Sequence, residues 1–227
     1  MGKKGTRDKK NAANRRSKWP STPLIVTGIV VIVGAVALLI NAGRANKTGG
    51  EQYMGITKPV VTIEMEGGGV IKVELDPVNA PNTVRNFIAL AEQGFYNGLI
   101  FHRVIPGFMI QGGCPQGTGT AGPGYNIRGE FTANRHDNNL LHSRGVISMA
   151  RSQGMNTAGS QFFITVATVP HLDGQYAAFG TVIEGMEIVD RIVQADRDRS
   201  DKPLEPQTIK TITVDTFGIT FEPPDKN

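Results

Sequence analysis

Residues 101–113 restrict the fold more than any other part of the chain. They place a single arginine, Arg103, and a single glutamine, Gln111, in a run rich in large apolar side chains. A strand that only filled a core would not contain a guanidinium, because an unpaired buried charge is among the most costly groups that a fold can hold. The segment therefore predicts a binding surface with an apolar ligand beside Arg103. A structural ion pair of Arg103 is the alternative.

Strand alternation predicts a second feature of this surface. Residues two apart on a strand share a face, so Met109 and Gln111 point the same way, as do Gln161 and Phe163 further along the chain. Each pair sets a large apolar side chain beside an amide. If the two strands present these faces to one groove, the result is an apolar slot edged with hydrogen-bonding groups.

Four short blocks follow downstream. They are GVISMA at 145–150, NTAGSQFFI at 156–164, LDG at 172–174 and FG at 179–180. Together with residues 101–113 they resemble the signature of the cyclophilins, the β-barrel peptidyl-prolyl cis-trans isomerases. The resemblance covers roughly residues 59–219, and several matching blocks in the right order are more specific than any one of them.

The resemblance implies an enzyme that accelerates rotation about X-Pro bonds in proline-containing polypeptides, with Arg103 as its catalytic arginine. A guanidinium that donates to the prolyl nitrogen stabilises the twisted amide, so this chemistry needs no nucleophile, base, metal or cofactor. The implied substrate-binding residues are Phe108, Met109, Phe163 and Leu172 in the proline pocket, Gln111 and Gln161 on the peptide backbone, and main-chain groups around Ala150 and Arg151. The alternative is a chaperone that binds proline-containing segments with little catalysis.

Two expected pocket residues depart from the best-known eukaryotic pattern of that family. His171 stands where those members often have tryptophan, and Tyr176 stands where they have histidine. The first change removes the area and the N–H donor of an indole, so we expect weakened binding of the immunosuppressant cyclosporin. The second keeps a ring at the pocket edge.

Local patterns predict the elements of the domain. Two alternating segments, 60–65 and 70–75, flank a glycine turn and indicate a β-hairpin. Apolar residues at helical spacing predict amphipathic helices over 83–93 and 186–193, and 208–217 alternates as a last strand. We expect a mainly β fold, a closed antiparallel eight-stranded barrel capped by two α-helices. The residues expected to face its core are Phe87, Met149, Phe162 and Ile164.

Positive charge is concentrated at the start of the chain. Residues 1–22 hold eight Lys and Arg against one Asp, a balance of +7, whereas the rest of the chain holds 16 basic and 19 acidic residues, a balance of −3. The high pI therefore arises from the tail. It gives no indication that the folded domain binds nucleic acid.

An uncharged run, residues 24–40, follows the basic tail. As a helix with its flanks it is long enough to cross a hydrocarbon core of about 30 Å, and it has no amphipathic period. We predict a single-pass signal anchor over 23–40, with a cleaved signal peptide and a buried core segment as alternatives. The basic excess before the span predicts a cytoplasmic tail at 1–22 and an extracytoplasmic catalytic domain at the cytoplasmic membrane.

The remaining segments complete the predicted organisation. Residues 41–58 are rich in glycine and polar side chains and indicate a flexible linker. The folded domain is expected at 59–221, followed by a short tail at 222–227. The absence of a eukaryotic targeting signal and the compact domain suggest a bacterial member. We expect a monomer whose partners are newly exported polypeptides.

Other kinds of site are not expected. The four histidines lack metal-ligand spacing, and the single cysteine, Cys114, has no disulfide partner. Residues 117–122 match GxGxxG, but Pro123 follows at once and no helix opens there, so the match does not predict a dinucleotide site. His102 points away from Arg103 by alternation and is expected to be a wall histidine with satisfied hydrogen bonds.

Overall fold

Alternating apolar residues form the strands of one antiparallel sheet in the computed structural model, which describes residues 49–227. The strands are β1 (Val60–Met65), β2 (Val70–Leu75), β3 (Arg103–Ile105), β4 (Met109–Gly112), β5 (Val146–Met149), β6 (Phe162–Thr165), β7 (Ala178–Glu184) and β8 (Ile209–Asp215). Their order across the sheet is β3-β4-β6-β5-β7-β2-β1-β8. The mainly β prediction is therefore confirmed.

The first hairpin shows why these residues form strands. Val61 lies opposite Val73 and Ile63 opposite Ile71, and all four side chains are fully buried. The residues between them face outward and remain partly exposed. This period of two is the pattern that buries one face of a strand, and the predicted bounds of β1 and β2 are correct.

Two α-helices pack on the sheet, as predicted. Helix α1 (Pro81–Glu92) begins two residues before the predicted start, because proline is favoured in the first turn of a helix, where its missing N–H is not needed. Helix α2 (Met186–Val193) has the predicted bounds. Helix α1 packs against β8, whereas α2 contacts β2, β3 and β4.

The prediction of a closed barrel is wrong in one respect. Strands β3 and β8 form the two edges of the sheet, and they are not paired with each other in the described chain. Strand β3 has only three residues. The gap between the two edges is bridged by the segment of chain that precedes β3. There the Phe101 N–H donates to the Gln207 carbonyl at 3.0 Å. The Gly98 N–H donates to the Ile209 carbonyl, and the Ile209 N–H donates to the Leu99 carbonyl, both at 2.8 Å. The sheet is a curled half-barrel.

Two separate apolar clusters lie on the two faces of the sheet. The larger one is the main core, where the ring of Phe87 on α1 contacts Tyr96, Phe162 and Phe179 with centroids 5.0–5.4 Å apart. The core positions predicted from the sequence are all within it: Phe87, Met149, Phe162 and Ile164. The smaller cluster lies on the opposite face, around Met109 and Phe163. Its position makes it the candidate binding pocket.

The ends of the described chain contact the domain. Residues Gly49–Tyr53 form a 3-10 turn, and the buried Tyr53 ring stacks on Phe221 at 5.2 Å. Near the other end, Asp225 pairs with Arg85 of α1 at 2.7 Å. The predicted basic tail, the anchor at 23–40 and most of the linker lie outside the described residues. Between residues 49 and 227, no helix has the length and apolarity needed to cross a membrane.

Candidate active site

A row of side chains crosses the sheet from its β3 edge. Arg103 of β3 lies opposite Gln111 of β4, Gln111 lies opposite Phe163 of β6, and Phe163 lies opposite Ser148 of β5. Directly opposed residues of neighbouring strands share a face. The register therefore places the guanidinium, an amide and an aromatic ring side by side on the face that does not contact the main core.

The smaller apolar cluster is built on this face. Its buried members are Met109, Phe163, Val169 and Leu172, and the partly buried residues around them are Ile105, Phe108, Ala150 and Tyr176. All four side chains expected in the pocket, Phe108, Met109, Phe163 and Leu172, are in this one cluster. Ile105 and Val169 were not predicted; Ile105 shares a face with Arg103 by alternation, whereas Val169 lies in an irregular segment that gives no periodic signal.

The two predicted glutamines meet at the edge of the cluster. The Gln111 amide donates to Gln161 Oε1 at 3.0 Å, and the Gln161 amide donates to the carbonyls of Gly119 and Ala121, both at 2.9 Å. Both amides are thus oriented by protein groups. Pre-oriented polar groups can bind a peptide unit without a large ordering cost.

The loop that orients Gln161 folds around a cysteine. Cys114 Sγ accepts a hydrogen bond from the Gly119 N–H at 3.2 Å. Burial raises the pKa of the Cys114 thiol, but the backbone N–H groups of Ala121, Thr118, Gln116 and Gly119 outweigh that effect and lower the pKa to about 7. As predicted, residues 117–122 form a loop rather than the start of a helix.

Arg103 lies at the rim of the pocket with 44% of its side chain exposed. Its Nε is 4.0 Å from Asp201 Oδ2, and the guanidinium makes no side-chain hydrogen bond within residues 49–227. An exposed ion pair of this length contributes at most about 1 kcal/mol, which is too little to explain an arginine at this position by structure alone. Its N–H donors remain free for a ligand.

Ala150 and Arg151 form the opposite rim. The Ala150 N–H is bonded to the Gln161 carbonyl at 2.9 Å. The Arg151 guanidinium lies 4.7 Å above the ring of Tyr176 and donates to the Gln175 carbonyl at 3.1 Å. The side chain of Arg151 is therefore occupied within the protein. The expected main-chain role of Ala150 and Arg151 in substrate binding stays a prediction.

The remaining rim residue, His171, is exposed, and its ring lies 5.9 Å from that of Phe108. A groove of about 500 Å³ extends from the pocket past Gln111 and Gln161. Its other walls include the 119–123 loop, residues 150–152, Tyr125 and Asn126. The site thus combines an apolar pocket with an adjoining polar groove.

A buried histidine, His142, supports the pocket from beneath, and no pattern in the sequence indicates this role. His142 is 1% exposed, stacks on Phe163 with centroids 6.0 Å apart, and bonds Ser148 Oγ at 3.0 Å and Asp173 Oδ1 at 2.9 Å. Burial lowers the pKa of His142, and the hydrogen bond and charge of Asp173 oppose this only in part. A neutral imidazole therefore supports the wall of the pocket.

The expectation for His102 is only partly correct. The residue is buried, at 5% exposure, but neither ring nitrogen has a hydrogen-bond partner within the described chain. Burial, with the charges of Lys202 and Arg103, lowers its pKa. The neighbouring Gly119 does not bond the ring, because its N–H donates to Cys114 and its carbonyl accepts from Gln161.

Comparison with known proteins agrees with this geometry. Residues 60–214 match the family model described as cyclophilin type peptidyl-prolyl cis-trans isomerase/CLD. The chain is 51% identical over 132 residues to peptidyl-prolyl cis-trans isomerase B of Bacillus subtilis, covering 58% of this chain and 89% of that protein. It is 52% identical over 130 residues to a peptidyl-prolyl cis-trans isomerase of Helicobacter pylori, covering 56% and 77%.

A solved structure has the same fold. It is a cyclophilin type peptidyl-prolyl cis-trans isomerase of Cryptosporidium parvum, crystallised in the presence of the dipeptide Ala-Pro. The two chains are 38% identical with a TM-score of 0.63, over 69% of this chain and 99% of that one. A family match over most of the chain, with relatives at about half identity that share one named activity, places this protein in the cyclophilin family as a peptidyl-prolyl cis-trans isomerase.

Proposed function

We propose that Arg103 provides the catalysis, by stabilising the twisted X-Pro bond of a polypeptide whose proline occupies the apolar pocket. One observation carries this proposal. The exposed guanidinium lies directly across from Gln111, at the edge of the cluster that contains Met109, Phe163 and Leu172. A charged donor without a side-chain hydrogen bond to any of residues 49–227 therefore borders a site that fits a proline ring.

The chemistry requires only differential binding. Amide resonance gives rotation about the bond a barrier of about 18–20 kcal/mol. At the transition state that resonance is lost, and the prolyl nitrogen has a lone pair that can accept a hydrogen bond. A donor that reaches this nitrogen binds the twisted form more strongly than the planar one, and each ~1.4 kcal/mol of that difference is worth about tenfold in rate.

The other side chains bind the peptide on either side of the rotating bond. Phe108, Met109, Phe163 and Leu172 hold the ring by apolar contact. Gln111, Gln161 and main-chain groups around Ala150 and Arg151 bind the backbone in the adjoining groove. His171 and Tyr176 complete the rim, and without an indole at position 171 we expect cyclosporin to bind weakly.

We also propose where the enzyme works. The basic tail and the uncharged run at 24–40 support a single-pass anchor in a bacterial cytoplasmic membrane with the N-terminus inside. The domain then faces outward, where its substrates are newly exported polypeptides. Slow X-Pro isomerisation limits folding in that location as elsewhere.

The test is a cis-to-trans exchange assay on a short X-Pro peptide with the full-length protein and its Arg103→Ala variant. We expect kcat/KM to fall about 100-fold, the loss typical of removing one donor that acts on the transition state. The fold should persist, because the side chain is 44% exposed. Arg144→Ala is the matched control, since its side chain is 45% exposed and also paired with a carboxylate.

Two results would contradict the proposal. Full activity of Arg103→Ala would remove Arg103 from the catalysis. The second result is a folded parent protein that does not accelerate exchange, although it and Arg103→Ala protect proline-containing clients from aggregation equally well. That result would favour the binding chaperone instead.

A further inference from the structure

A loop from α2 to β8 covers the free edge of β3. Strand β3 pairs with β4 on one side only. On its other side the Val104 N–H donates to the Asp201 carbonyl at 2.8 Å. Asp201 is thus fixed to Val104, the residue that directly follows Arg103 on the strand.

This loop is internally braced. The Asp198 carboxylate accepts the N–H groups of Ser200 at 2.8 Å and Lys202 at 3.0 Å, and the Asp198 N–H donates to the Lys202 carbonyl at 2.8 Å. Arg197 and Pro203 form a bridge across its base. The backbone conformation of Asp201 is set by these contacts rather than by solvent.

Asp201 has a left-handed backbone conformation, with a φ of 62°. Such a φ is uncommon for a residue other than glycine, and Asp and Asn tolerate it better than most. The conformation turns the carboxylate toward two arginines. Oδ1 is 3.3 Å from Arg197 Nε, and Oδ2 is 4.0 Å from Arg103 Nε.

We propose that Asp201 is a positioning residue for Arg103: its carboxylate, held by Arg197, attracts the Nε edge of the guanidinium so that the two terminal amino groups face the pocket. The inference rests on the proposed catalytic role of Arg103. A half-exposed arginine on a three-residue edge strand has many rotamers, and only some direct its donors to a bound proline. The geometry leaves the terminal donors for substrate, because the closest approach of Asp201 is to Nε.

The experiment compares kcat and KM for Asp201→Asn and Asp201→Gly with those of the full-length parent. Asparagine keeps the size and the tolerance of positive φ, whereas glycine relieves the backbone and removes the side chain. We expect both to lower kcat about fivefold with KM and the unfolding midpoint unchanged, since a misdirected donor affects the transition state alone. Asp196→Asn, an exposed acid of the same loop, controls for the lost charge and should match the parent.

A double-mutant cycle completes the test. In an Arg103→Ala background, Asp201→Asn should cause no further loss. An equal loss in that background, or parental activity of Asp201→Asn, would overturn the positioning role while leaving the catalytic role of Arg103 intact. If Arg103→Ala alone keeps full activity, it is the proposed function that fails.

Discussion

His142 connects the pocket to the interior of the sheet. Its ring stacks on Phe163, and its two nitrogens bond Ser148 and Asp173, so residues from separate segments fix the wall against which a substrate packs. Tyr176 meets the other side of Phe163 edge-on at 5.9 Å. The orientation of the Phe163 ring is therefore set from both sides before any ligand binds.

The buried neutral histidine predicts a pH dependence of stability. A histidine whose folded pKa is depressed binds a proton more readily when unfolded, at about pH 6.5. The stability it contributes is complete above that value and declines as the pH falls through 6.5 toward the folded pKa. His102, also buried and also with a lowered pKa, adds to the same slope. We expect the free energy of unfolding to fall between about pH 7 and pH 5.

Urea denaturation across this pH range is the measurement. His142→Asn keeps a donor toward Asp173 but cannot titrate, so its stability should be lower than the parent's at pH 7.5 and should fall less steeply with acid. If the variant keeps the parent's full slope, His142 is not one of the groups responsible.

At the residue scale, strand alternation predicted which side chains share a face of a strand. It did not predict the residues that support those side chains from irregular segments. Met109 with Gln111 and Gln161 with Phe163 could be paired from spacing alone, because a strand has a strict period of two. His142 and Val169 lie in irregular segments. Their positions depend on how distant loops pack, and no local pattern records that.

Among the elements, α1 has the least local support at its start. Ala80 precedes it and provides no side-chain cap. The cap comes from Glu130, 4% exposed, whose carboxylate accepts the N–H of Asn82 at 2.9 Å, and both the N–H and the hydroxyl of Thr83 at 2.7 Å. A negative charge at this end also favours the helix dipole.

Glu130→Gln should therefore destabilise the fold by about 2 kcal/mol, because charge-assisted bonds to a buried helix end are lost or weakened. The measurement is the midpoint of urea unfolding, monitored by circular dichroism. Glu187→Gln is the control, since Glu187 lies exposed in the first turn of α2 and should contribute only a few tenths of a kcal/mol. Equal effects of the two changes would show that burial of Glu130 is unimportant.

This cap is a feature of α1 that the sequence could not predict. Sequence spacing identified the apolar face of the helix, which depends only on residues within it. The cap comes from a residue 47 positions away from Thr83 and is visible only in the folded chain. The bridging of β3 and β8 by residues 98–101 could not be predicted for the same reason, since contacts between segments so far apart in sequence leave no local pattern.

At the scale of the whole molecule, residues near both ends of the described chain pack against the body of the domain. Tyr53 stacks on Phe221, and Arg85 bonds the Pro223 carbonyl and pairs with Asp225. A single aromatic or acidic residue in a polar segment has no periodic signal, so these contacts could not be predicted from the sequence. Tyr53 and Asp225 are therefore both held against the body of the domain.

The anchor predicted at 23–40 is tested by the behaviour of the full-length protein in a bacterial host. We expect it to sediment with membranes, to resist alkaline carbonate extraction, and to be digested when protease is added to spheroplasts. Val31→Lys with Val33→Lys should release it, because each central lysine costs about 2.5–3.5 kcal/mol in a spanning helix. Val31→Leu with Val33→Leu is the matched control and should remain bound. Recovery of the full-length parent in the soluble fraction would contradict the anchor, and a soluble product lacking about the first 40 residues would identify a cleaved signal peptide instead.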